Sequence, residues 1–192
     1  MKKIYLLSLL IFCILCKCDI FVSPSGEDTS TCGTSDQPCK TIQFCIDNNN
    51  NTQLILMQGT YNMEAPLYLD QSKNITITST NLNTTVLNST NGIIMANESS
   101  IISLKNLTLV TTNYIGHLSG KANLKLYSIS VSSAIFTQDI FKVDSGSFLT
   151  ITDLNFVKDI LLSDSFINNL NGSATVISST FQRVILSSLS FL

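Results

Sequence analysis

One apolar pattern recurs four times between residues 102 and 181, and it constrains the fold more than any other feature of the chain. Ile102-x-Leu104-x-x-Leu107-x-Leu109 aligns with Leu124-x-Leu126-x-x-Ile129-x-Val131, Leu149-x-Ile151-x-x-Leu154-x-Phe156 and Ala174-x-Val176-x-x-Ser179-x-Phe181, at steps of 22, 25 and 25 residues. Alternation of apolar and polar residues is the signature of a strand with one buried face, and no helical period appears after Leu54. The same 25-residue register aligns Ile135, Ile160 and Ile185, then Phe136, Leu161 and Leu186, then Phe141, Phe166 and Phe191. Each period therefore holds about three short strands, set off by polar bends.

A repeat of this length with several strands and no helix predicts a parallel β-helix, each repeat forming one coil and stacking its apolar residues inward as ladders. At a strand spacing of about 4.8 Å, the roughly five to six coils that fit after Leu54 make a rod about 25 to 30 Å long. The rival is a leucine-rich repeat, which Ile151-x-x-Leu154-x-Phe156-x-x-Asp159-x-Leu161 fits superficially. Its Asn position reads Ala134, Asp159 and Val184 in successive periods, so the Asn ladder that would satisfy the turn backbone is missing.

Ahead of the repeat, Lys2-Lys3 and an apolar run from Ile4 to Cys16 read as a signal peptide covering residues 1–18. The apolar run is too short for a comfortable membrane span, so no stable span is expected after cleavage before Asp19; cleavage after Cys16 is the alternative. Without that segment eight bases face 13 acids with no basic run, which excludes nucleic acid as a partner. Secretion makes the cysteines disulfide candidates. Cys32 and Cys39 bracket a turn-rich run and are the expected pair, leaving Cys45 to Cys18, to another chain, or free. Sequons at Asn50, Asn74, Asn83, Asn88, Asn97, Asn106 and Asn171 predict a polar, glycosylated surface in a eukaryotic host.

Residues 19–53 supply a leading strand, a Cys-clipped loop and a short helix N-capped by Thr41, with Ile42, Cys45 and Ile46 on one side. Such a helix plugs the open end of the first coil. This opening, Ile20-Phe-Val-Ser-Pro-Ser-Gly-Glu-Asp28, with Pro38-Cys-Lys-Thr-Ile-Gln43 and Gln53-Leu-Ile-Leu-Met-Gln-Gly-Thr-Tyr61, resembles that of right-handed parallel β-helix proteins of the pectin-lyase-like superfamily. The resemblance is specific over residues 20 to 78 and generic afterwards. Ser165-Phe-Ile-Asn-Asn169 and Asn171-Gly-Ser-Ala174 are similar to polymorphic-outer-membrane-protein-type repeats, although Gly172-Ser173 stands where that pattern has two glycines. The resemblances imply a right-handed β-helix over residues 54–192 with a cell-surface or adhesin role.

Lyases of the superfamily need clustered acids for Ca²⁺ and a basic residue, and its hydrolases need paired carboxylates. The best acids here are Asp139 and Asp164, one period apart and so stacked on one face, though turn aspartates that bend the chain are the blander reading. Lys158 and Arg183 share a register as well, and His117 in Ile-Gly-His-Leu-Ser-Gly reads as a surface loop. No metal or cofactor is expected unless Ca²⁺ serves the enzymatic alternative. Phe191 falls mid-coil, so the expectation is a truncated product, with an end-to-end partner or a lipid-anchor tail as alternatives. The expected protein is a secreted or cell-surface glycoprotein with a non-catalytic recognition or adhesion role toward a carbohydrate or surface protein. The alternative is a polysaccharide lyase or glycoside hydrolase, or an inactive relative.

Overall fold

The computed structural model describes residues 19–79, 81–82, 84–132, 135–136, 138–157, 160–162, 165–180 and 184–186. Residues 1–18 and 187–192, which bear the expectations on cleavage and on the chain end, lie outside them.

Strand β1 (Ile20–Val22) leads through a loop into helix α1 (Ile42–Asn48). The first coil follows as β2 (Asn51–Leu56), β3 (Gly59–Asn62) and β4 (Leu67–Leu69), and the second as β5 (Asn74–Ser79), β6 (Thr85–Ser89) and β7 (Ile94–Ala96). In the third coil β8 (Ile101–Thr111) carries the first bend within one long strand before β9 (Gly116–Leu118). The fourth coil is β10 (Asn123–Val131), β11 (Ile135–Phe136) and β12 (Phe141–Asp144), and the fifth β13 (Phe148–Phe156), β14 (Ile160–Leu162) and β15 (Ile167–Leu170). Strands β16 (Ser173–Ile177) and β17 (Val184–Leu186) continue the stack.

Pairing between these strands is parallel throughout. It builds a main sheet running β1-β2-β5-β8-β10-β13-β16, with β3 and β6 joined to it through β8. A second sheet runs β4-β7-β9-β12-β15 and a third β11-β14-β17. The chain is a parallel β-solenoid of about five turns with one short helix near its N-terminus, the architecture that the repeat predicts.

The repeat's apolar positions become the ladders. Leu54, Ile77, Leu104, Leu126 and Ile151 stack in register and are fully buried. Leu87, Leu109, Val131 and Phe156 do the same on the far side of the bend. Burial of this continuous apolar column drives the fold, at about 25 cal/mol per Å². The two-residue gap inside each repeat unit has a backbone cause. Its second residue, Asn106, Ser128, Asp153 or Ser178, has a φ between 51° and 61°. One left-handed residue turns the strand so that the apolar residues before and after it both point inward. The small polar side chains that tolerate this region are the ones found there, and Ser128 Oγ donates to Asp153 Oδ2 at 2.9 Å across two coils.

A second column of bends forms i→i+3 turns, with Lys73 N donating to Asp70 O, Ser100 N to Asn97 O, Ala122 N to Ser119 O and Ser147 N to Asp144 O. In the first three both central residues have positive φ, the type I′ requirement.

The core is capped at its N-terminal end by helix α1. Thr41 N-caps α1, its hydroxyl accepting from Phe44 N, and the helix buries Ile42, Cys45 and Ile46, as expected. Asp28 braces the cap by accepting from the N–H groups of Lys40 and Thr41 and the Thr41 hydroxyl. Burial opposes ionisation of Asp28, but these bonds and the charge of Lys40 outweigh it and hold its carboxyl below the ordinary value. At the other end of α1 the buried Lys73 ammonium donates to Ile46 O at 2.7 Å and Asp47 O at 3.4 Å, satisfying terminal carbonyls with a cation at the negative end of the helix. Lys73→Met should therefore lower stability by about 1.5 to 3 kcal/mol. A urea midpoint unchanged from the parent would show that Lys73 does not hold the cap.

Cys32 and Cys39 form the expected disulfide. Cys45, whose pairing the sequence leaves open, is a free buried thiol pushed up to about 12 by burial and by the charge of Asp28.

The fixed register expected for the second half of the repeat does not hold. Ile135 lies beside Leu161 and Phe136 beside Leu162, while Ile160 lies beside Val184. Phe141 likewise lies beside Ile167 rather than Phe166. The strict 25-residue register thus slips by one residue in the second half of the repeat, forward from Ile135 to Leu161 and back from Ile160 to Val184, because the number of residues at the bends varies from coil to coil without disturbing the ladders and a fixed period cannot see it. Phe166 still reaches the core, packing edge-on against Phe141 at 5.7 Å and Phe156 at 6.0 Å.

Candidate functional site

Side chains alternate across a strand, so the second sheet presents one column outward from its five strands. That column is Tyr68, Met95, His117, Lys142 and Asn168, stacked in register. Their neighbours Leu67, Leu69, Ile94, Ala96, Leu118, Phe141 and Val143 are buried beneath. The column is apolar at its N-terminal end, where Tyr68 is 46% exposed and Met95 40%, and polar at the other.

His117 sits in β9 and not in a surface loop, which corrects the reading of its glycine-flanked segment. Gly116 is a packing glycine rather than a turn glycine, since a Cβ there would lie 2.6 Å from the Leu124 side chain. The imidazole stacks on the buried Tyr114 ring, with centroids 3.7 Å apart and planes 13° from parallel. Burial, and then the charge of Lys142, hold its pKa below the ordinary imidazole value, against the opposing pull of Asp139 and Asp144. Lys142 forms no ion pair among the described residues, leaving its ammonium available to a ligand.

Asp139 stands at the polar end. Its Oδ1 accepts from Ser165 N at 2.9 Å and its Oδ2 from Asn168 Nδ2 at 2.8 Å. It ties one coil to the next, and both of its oxygens are in use. Asp164, its expected partner, lies outside the described residues, as do Lys158 and Arg183. Asp28, Cys32 and Cys39 bring three metal-binding residue types together, but both sulfurs are bonded to each other and cannot act as thiolate ligands.

Among the sequons, Asn50, Asn74, Asn106 and Asn171 are exposed. Asn88 is half-buried and donates through Nδ2 to Asn62 Oδ1, and the half-buried Asn97 accepts through Oδ1 from Glu98 N and Ser119 Oγ. Asn83 lies outside the described residues. None of the six described sequon asparagines lies in the outward column. No family model, no curated protein and no solved structure matches the chain. Its chemistry is therefore read from its own residues.

Tyr68, Met95 and Lys142 were not singled out by the sequence reading. Their signal was present, since with His117 between Met95 and Lys142 each is about one repeat from the next, but the strands that carry them are short and lie where the loops vary in length. Because the chain has one histidine, its titration can be read without assignment. The depressed pKa means that its contribution to stability is complete above the ordinary imidazole value and is lost as pH falls through the lower folded value. A ring-proton NMR titration should give a midpoint below the ordinary value; a midpoint at or above it would contradict the buried, stacked arrangement.

Proposed function

We propose that this chain is a secreted or cell-surface glycoprotein, built on a right-handed β-helix of the pectin-lyase-like kind, that recognises an extended carbohydrate through the outer face of its second sheet without transforming it. The outward column carries this reading. An exposed aromatic ring and a thioether offer an apolar platform to the faces of sugar rings, and Lys142 and Asn168 offer donors further along the same line. A linear ligand laid along the stack meets a new side chain about every 4.8 Å.

Binding of a panel of neutral and anionic soluble polysaccharides, followed by calorimetry, tests the proposal. At least one should bind, and Tyr68→Ala should weaken it by about tenfold, the loss of roughly 1.4 kcal/mol of stacking. If no polysaccharide binds, or if Tyr68→Ala leaves the affinity unchanged, this face is not the site. The enzymatic alternative is read in the same samples. Appearance of new reducing ends or unsaturated products, abolished by Asp139→Asn, would replace recognition by catalysis.

A further inference from the structure

The N-terminal end of a solenoid exposes three strand edges, and the chain seals two of them. Along β1, Cys39 N donates to Phe21 O and Ser23 N to Cys39 O, so the clipped loop pairs with that edge. Along β4, the Gln43 side chain acts as a piece of main chain. Its Nε2 donates to Tyr68 O at 3.1 Å, and its Oε1 accepts from Tyr68 N at 2.9 Å.

The third edge is left open. Strand β3 pairs with β6 alone. Gly59 N donates to Thr84 O and Met63 N to Asn88 O, so odd-numbered residues face β6 and the main-chain groups of Thr60 and Asn62 point the other way. Neither makes a main-chain hydrogen bond on that side among the described residues, and both residues are exposed. The edge lines a groove of about 610 Å³ between β3 and the start of α1. Pro24, Ile42, Met63 and Leu67 form its apolar lining, and Lys40 and Glu64 contribute one charge of each sign. Pro24 covers Gly59, where an added Cβ would come within 2.8 Å of its ring, so the open stretch begins at Thr60.

We propose that this groove binds an extended peptide segment of another protein, which adds a strand to β3. The unpaired donors and acceptors of Thr60 and Asn62 are spaced to match main chain. The peptide residue in register with Tyr61 faces the apolar lining, and its neighbours beside Thr60 and Asn62 face solvent. The favoured segment is therefore short, apolar at its centre, polar on either side and of no net charge, matching the opposed Lys40 and Glu64.

The probe is a blocked heptapeptide with the sequence of residues 84–90, Thr-Thr-Val-Leu-Asn-Ser-Thr, which contains the strand that β3 already accepts in parallel on its other edge. In the free protein the Thr60 and Asn62 amide protons should exchange rapidly. Saturating peptide should slow both by at least about tenfold, as expected for roughly two new hydrogen bonds, with NMR shifts confined to the groove. Of two peptides N-methylated at alternate amides, one should lose binding and the other keep it, a control that requires no protein variant to fold. Thr60→Pro should block the edge while leaving the fold intact, because the N–H it removes is unpaired. Absence of shifts at millimolar peptide, equal binding of the two methylated peptides, or shifts elsewhere would overturn the proposal. So would protection of Thr60 and Asn62 in the free protein, which would mean that another segment of this chain or a second copy already fills the edge.

Discussion

Replacing Leu126 by Ala will lower the free energy of unfolding by about 3 to 5 kcal/mol. Leu126 is an interior rung of the main ladder, stacked between Leu104 and Ile151, and all three are fully buried. The substitution removes three carbons that contact the coils on both sides, and the parallel hydrogen bonds of β8, β10 and β13 prevent the neighbours from closing the gap. Lys125→Ala is the control. It lies one residue away on the same strand with its side chain outward, and its effect should stay within about 0.5 kcal/mol. Urea unfolding of the two variants beside the parent separates the outcomes. A Leu126→Ala loss no larger than that of Lys125→Ala would mean that the solenoid does not depend on its ladder.

The second large effect is expected at Gly92. Its φ is +101°, and an added Cβ would lie 2.4 to 2.7 Å from atoms of the Tyr114 ring. Gly92→Ala therefore combines backbone strain with a clash against a buried aromatic, and should cost about 2 to 4 kcal/mol. The damage should also reach the candidate site, because the displaced ring is the one on which His117 stacks. In Gly92→Ala the His117 ring protons should lose their ring-current shift and titrate closer to the ordinary imidazole value, as solvent reaches the imidazole. A variant of parental stability with an unchanged histidine titration would refute the link from Gly92 through Tyr114 to the face.

How much of this was legible beforehand differs along the repeat. In the long strands β8, β10 and β13 the register follows the apolar alternation residue by residue, because a one-residue slip would turn every Leu and Ile of the ladder to solvent. In the short strands of the third sheet that penalty is small. There the bend loops set the register, and Ile135 meets Leu161 where the fixed period had paired it with Ile160. The helix cap was readable from Thr41 and the spacing of Ile42, Cys45 and Ile46, a local signal. Lys73, some 27 residues away in sequence from the carbonyl it caps, carries no such signal.

The sequence by itself determined the solenoid, the inward ladders, the polar bends and the clipped, helix-capped N-terminal end, because each follows from periodicity or from contacts between near neighbours in the chain. Only the tertiary structure decided which outward residues form one face. It brought Tyr68, Met95, His117 and Lys142 into line, slid Tyr114 beneath His117, engaged both oxygens of Asp139, and sealed two of three strand edges while leaving β3 open. Solvent-facing positions bear no hydrophobic constraint, so their identities say nothing of their neighbours; coil-to-coil register and loop length place them side by side, and those are set by the packing of the whole stack.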